Sequence, residues 1–231
     1  MILLLLVLAM FNDTLPHWTG PAYITLLPLA AIYLSQTKIQ NKIPRVVKFS
    51  LGLTAFVVVI GVLAINFYPG TLGKRNSLAK FREGDVTLDM YGWNVASKKI
   101  DSLVKADAEK GIMSHDAQFV SNKWYPAAHI DYYIARPLHK FVFGIGEMND
   151  LHHYEWLNEA RWKDNPFHDA YCVFPSDYSC NVKDIYAKHF RTIDSVAALP
   201  IYRGGTVCKY LFIYRLKELT VEIPKANQIR L

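Results

Sequence analysis

Residues 49–68, FSLGLTAFVVVIGVLAINFY, run for twenty positions without a charge. At about 1.5 Å of rise per residue this makes a helix of roughly 30 Å, the thickness of a hydrocarbon core. Lys42, Arg45 and Lys48 precede the run, and Tyr68, Pro69 and Gly70 end it. Length, composition and basic flank predict a transmembrane helix rather than a buried helix or strand of a soluble core.

Upstream, residues 21–34, PAYITLLPLAAIYL, are also uncharged, and their neighbours bring the stretch near spanning length. Pro28 would kink such a helix, which a membrane tolerates where adjacent helices satisfy the freed carbonyl. A re-entrant or interfacial segment fits the length as well. The opening MILLLLVLAMF is intensely apolar but covers about half a span, and it lacks the basic lead and small-residue cleavage site of a signal peptide. The simplest expectation is a chain that starts inside a membrane helix and forms the C-terminal part of a longer, multi-spanning protein.

The connection over residues 36–48 carries Lys38, Lys42, Arg45 and Lys48 and no acid. The positive-inside rule places it in the cytoplasm and everything after Tyr68 outside. The expected organisation is a transmembrane part, 1–70, with about three hydrophobic segments of which the first is truncated, and an extracytoplasmic domain, 71–231. The first part holds four basic residues against Asp13, and the second holds 22 basic against 19 acidic, so each contributes +3 to the net +6. No basic stripe or aromatic stacking motif accompanies that charge, which argues against a nucleic-acid partner.

The outer domain reads as alternating helix and strand. Residues 92–111 place Val95, Ile100, Leu103 and Val104 near one helical face, with a closing glycine. Residues 117–121 read as a strand, 126–137 as a helix between prolines, and 140–146 as a second strand, an order that implies parallel pairing. Residues 169–175 suit a central strand and 183–189 a short helix. Residues 190–199 and 209–219 alternate as half-buried strands, with the turn signal IYRGG between them. The expected fold class is therefore α-helical membrane segments followed by a small three-layer α/β domain with a mostly parallel sheet.

Cys172, Cys180 and Cys208 all follow the last apolar segment. Cys172 and Cys180 flank a turn-rich loop short enough to be closed by a disulfide, against the alternative of three unpaired buried thiols. CxxC and HxxxH spacings are absent, so no metal site is assigned.

The order of a HWTGPAY loop, a basic hinge, a final span and then LDMYGWNVASKKI, SNKWYPAAHIDYYIARP, HHYEWLN and HDAYCVFP resembles the C-terminal part of family 39 glycosyltransferases. These GT-C membrane enzymes include the dolichyl-phosphate-mannose protein mannosyltransferases and the bacterial aminoarabinose transferase. The resemblance spans nearly the whole chain. It implies an integral protein of a bacterial inner membrane, with a periplasmic C-terminal domain, that transfers a sugar from a polyprenyl-phosphate donor to an acceptor at the outer face. The partners it implies are membrane lipid, that lipid-linked donor and a missing N-terminal membrane domain. It implies no cofactor beyond the donor and leaves a divalent metal open. Consistent with this, GxGxxG and P-loop motifs are absent.

Such chemistry needs a carboxylate to take the acceptor's proton and groups that stabilise the departing phosphate. In the family the acidic residues lie on the first outer loop, upstream of this chain, and Asp13 does not match their pattern. No catalytic residue is therefore assigned, and the chain alone is expected to be inactive. The resemblance places LPHWTGPAY near the lipid phosphate and sugar, with His17 pairing with phosphate and Trp18 and Tyr23 walling the donor. The plainer alternative makes Trp18 and Tyr23 interface anchors and His17 a solvated side chain. His152 and His153 are read as loop residues, one exposed and one packed, Asp85 and Asp89 as structural caps, and Tyr132 and Tyr133 as rim and core. The competing function is a non-catalytic, membrane-anchored α/β module that binds a partner or a glycan.

Overall fold

The computed structural model describes residues 20–36, 43–75, 77–178 and 180–223. They form two compact units, divided between Ile60 and Gly61. In the first, α1 spans Gly20–Gln36 with Pro28 inside it. The next helix, α2, spans Arg45–Phe67, crosses the division and buries no residue along its length. Among the described residues it is the one helix long and apolar enough to cross a membrane. Phe49, Phe56 and Phe67 all stand exposed on it. Water does not tolerate an apolar surface of this extent without a covering phase.

The second unit is an α/β domain. Its elements are α3 (Trp93–Glu109), β1 (Gln118–Ser121), α4 (Trp124–Ile130), β2 (Val142–Gly144), α5 (His153–Asp164), β3 (Ala170–Pro175), α6 (Val182–Tyr186), β4 (Phe190–Arg203) and β5 (Thr206–Leu219). The sheet order is β2-β1-β3-β5-β4. β1 pairs in parallel with β2 and β3, whereas β5 pairs antiparallel with β3 and β4. The sheet is thus mixed and not mostly parallel. The helices α4 and α5 supply the crossovers that parallel neighbours need, while the Gly204-Gly205 turn joins β4 to β5 directly and forces a hairpin. Both glycines have positive φ, 55° and 78°, as a tight two-residue hairpin turn requires.

Successive strand residues alternate between two apolar layers. Phe119, Val142, Tyr171, Val173, Leu211 and Ile213 face α3 and α4, whose Trp93, Ala96, Ile100, Val104, Ala127 and Ile130 complete that layer. Val120, Phe143, Cys172, Phe174 and Leu216 face the other way, against Val182 and Tyr186 of α6. The period of two along each strand assigns neighbours to opposite faces. On α3 the buried stripe is Trp93, Ala96, Ile100 and Val104, so Val95, expected on that face, is instead exposed. Gly92 precedes the stripe with φ 79°, and a Cβ there would collide with Ile201 Cγ2.

Helix α5 covers the free edge of β2. Asn158 accepts from Gly144 N at 2.8 Å and donates to Gly144 O at 2.7 Å, and Arg161 Nη1 donates to Val142 O at 2.6 Å. These side chains replace the ladder that an edge strand otherwise offers to other chains.

The end of α2 is held within the second unit by Arg203. Its Nη1 donates to Ile65 O at 3.3 Å and to Thr87 Oγ1 at 2.8 Å, and its Nε donates to Gly70 O at 3.0 Å. Ile65 O is one of the terminal helix carbonyls that lack an intrahelical donor. The guanidinium also lies 5.6 Å and 5.7 Å from the ring centres of Tyr68 and Tyr91.

Candidate functional site

A concavity of the domain begins where α4 stops being an α-helix. After Ile130 the chain makes a π-helical turn over Asp131–Ala135, closed by Arg136 N donating to Asp131 O, and then a 3-10 turn over Arg136–Leu138 with Pro137 as its second residue. His139 ends it with φ 55°. One extra residue per turn is the mark of a π-bulge, which pushes side chains out of the helical register and recurs at functional sites. Here it leaves Tyr132 standing 64% exposed.

Beside this turn lies a groove of about 500 Å³, lined by Asp131, Tyr132, Arg136, His139, Lys140, Phe141, Tyr154 and Arg161 as well as Ala128. Asp131 is the carboxylate of that lining, and it is engaged. Arg161 Nη2 donates to it at 2.7 Å and Tyr154 Oη at 3.2 Å. Burial of Tyr154, with the Asp131 charge beside it, pushes its hydroxyl pKa far up, so it stays a donor. Arg161 lies 5.6 Å from the ring centres of both Phe141 and Tyr154. Lys140 donates to Ala117 O at 2.6 Å and to His115 O at 2.9 Å, and burial lowers its pKa. Arg136, by contrast, is exposed and its guanidinium has no hydrogen-bond or ion-pair partner among the described residues. The groove therefore presents an uncompensated cation beside exposed aromatic surface. It can hold an anionic group with an apolar ring.

A second cavity, about 710 Å³, lies across the same ridge and shares Tyr132 and Arg136 with the first. Asn94, Ser97, Lys98 and Asp101 of α3 line it with Tyr133 and Pro137.

Below the end of β3 sits a buried ionic cluster. Arg82, 1% exposed, donates to Asp177 at 2.5 Å and to Asp89 at 3.2 Å. Burial raises the Asp177 pKa although Arg82 pulls the other way. Lys209, fully buried, donates to Leu88 O at 3.1 Å and lies 4.8 Å from the Trp93 ring centre. Burial, reinforced by Arg82, lowers its pKa to about 7. Arg82 and Lys209 are enclosed, Asp89 is partly exposed, and together these groups hold the Phe81 to Asp89 segment to the sheet.

Of the residues singled out in the sequence, His17 and Trp18 lie outside the described residues. Tyr23 is exposed on the first turns of α1, not on a loop, because the helix already begins at Gly20. Cys172 and Cys180 are not bridged: all three cysteines are free thiols. Burial holds the Cys172 pKa well above its ordinary value and raises Cys180 to about 11, so neither forms the reactive thiolate at neutral pH. Asp85 caps a 3-10 turn by accepting from Thr87 N at 3.0 Å. His152 stands in the turn before α5 and His153 is the first residue of that helix; both are exposed, so neither is the packed one of the pair. Among the described residues no group of three or more His, Cys, Asp or Glu is arranged to hold a metal.

No family model, curated protein or solved structure matches the chain. Its functional reading rests on its own residues. Arg136, His139, Lys140 and Arg161 were not singled out in the sequence, although three basic side chains within the five residues RPLHK, just after a tyrosine pair, were a visible signal.

Proposed function

We propose that this chain is the C-terminal portion of an integral-membrane glycosyltransferase that moves a sugar from a polyprenyl-phosphate donor to an acceptor at the outer membrane face. The observation that carries the reading is α2, uncharged from Phe49 to Phe67 and with no residue buried, running into an α/β domain that fastens its last turn through Arg203. A helix with that surface belongs in lipid. The domain beyond it then stands at the outer face, where a lipid-linked donor is consumed. His17, Trp18 and Tyr23 remain the residues proposed to meet the donor, and the groove beside the π-turn is a place for the acceptor.

A second reading, a non-catalytic anchored binding module, draws on one feature. Asp131, the carboxylate lining the groove, is committed to Arg161 and Tyr154, so the groove holds ligand better than it removes a proton.

Deleting the gene and profiling lipid-linked sugars by mass spectrometry separates the two. A transferase predicts accumulation of one polyprenyl-phosphate sugar and loss of its glycosylated acceptor. An unchanged lipid-linked pool contradicts it and leaves the binding module.

A further inference from the structure

Tyr132 lies on the π-helical turn and Arg136 four residues on, at its end, and both line the two cavities beside it. Each cavity is within the size range of ordinary ligand sites, roughly 300–1,000 Å³. The ridge between them is therefore a saddle within one longer concave surface. On the saddle stands a largely exposed phenol ring, braced edge-on by Tyr133 at 4.9 Å and 83°. Beside it is the guanidinium of Arg136, without a partner among the described residues.

We propose that this surface binds an anionic oligosaccharide, with one sugar ring lying on Tyr132, its acidic group held by Arg136, and the chain extending into both cavities. An exposed, rigidly braced aromatic ring offers a flat apolar face to the C–H side of a sugar while its hydroxyl stays wet. Arg136 supplies planar, paired donors that match a carboxylate or phosphate. The groove's one carboxylate is already neutralised by Arg161, so nothing in that lining repels an anion. In the second cavity Asn94, Ser97 and Lys98 supply polar groups for sugar hydroxyls, and the carboxylate of that lining, Asp101, is paired with Lys105 at 2.9 Å. The proposal concerns binding alone and holds whether or not the chain belongs to a transferase.

The test is calorimetric titration of the full chain in detergent with tetragalacturonate, monogalacturonate, neutral maltotetraose and inorganic phosphate. Tetragalacturonate should bind at least tenfold more tightly than each of the others. Arg136→Gln and Tyr132→Ala should each weaken it at least tenfold without moving the thermal unfolding midpoint, and Tyr132→Phe should retain binding. Equal affinity for maltotetraose would overturn the anionic requirement, and equal affinity for phosphate would reduce the site to an anion contact. Equal affinity for the monosaccharide would overturn the extended surface. Failure of all four probes to bind would overturn the proposal while leaving the lipid-linked sugar experiment undecided by it.

Discussion

Arg203 and Asp85 form an ion pair at 3.4 Å with neither side chain exposed. Asp85 Oδ2 also accepts from Thr71 Oγ1 and Leu72 N, both at 2.8 Å, and its other oxygen accepts from Thr87. Burial alone would raise this carboxyl's pKa, but the hydrogen bonds from Thr87, Leu72 and Thr71 together hold it below its ordinary value. A depressed carboxylate contributes stability that is present above its unfolded pKa and lost as pH falls through the folded one. Arg203→Ala strips the partner from a buried charge and frees the carbonyls of Ile65 and Gly70. The expected loss is about 3–5 kcal/mol, read as a lower urea midpoint for the full chain in detergent. A loss within about 1 kcal/mol, the size of a surface pair, would mean that the clamp is not formed.

Lys209 gives a pH signature of the same sense in a higher pH window. Its pKa of about 7 lies well below the ordinary lysine value, with burial as the main cause. Between pH 7 and 8.5 the unfolded chain therefore binds more protons at this position than the folded one, and stability rises with pH. The rise should appear in urea unfolding followed by tryptophan fluorescence and flatten in Lys209→Met. A slope that survives in Lys209→Met would assign the effect to another group.

Asn158 is 1% exposed and satisfies both backbone groups of Gly144. Asn158→Leu keeps the volume and leaves two buried polar groups without that partner, at an expected cost of about 2–4 kcal/mol. It also uncovers the β2 edge, so the variant should aggregate at concentrations where the parent chain does not. Light scattering on the two proteins, side by side, checks both effects.

Strands β1, β2 and β3 and helix α3 could be read from the sequence because their apolar spacing follows the geometry of each element. Helix α5 could not. Its inward face is Tyr154, Asn158 and Arg161, chosen to satisfy a strand edge with polar atoms, and that leaves no apolar stripe to detect. The mixed sheet escaped for a related reason: helix and strand alternation predicts parallel neighbours among β1 to β3, but nothing in β5 itself states that it inserts between β3 and β4. The π-turn depends on one backbone bond from Arg136 N to Asp131 O, which side-chain patterns do not encode. The cations that it gathers were visible as a cluster, whereas the groove that they line was not.

In the proposed topology α2 crosses the membrane with the α/β domain outside. Protease treatment of right-side-out and inverted vesicles carrying the full chain tests it, with an antibody to the α/β domain as the readout. The account predicts digestion of the domain in right-side-out vesicles, protection in inverted ones, and retention of an undigested α2 fragment in the membrane after alkaline carbonate washing. Phe56→Arg, near the middle of α2, should impair that retention, because a mid-bilayer arginine costs roughly 2.5–3.5 kcal/mol on insertion scales. The opposite protection pattern, or release of the parent chain by carbonate, would contradict the account.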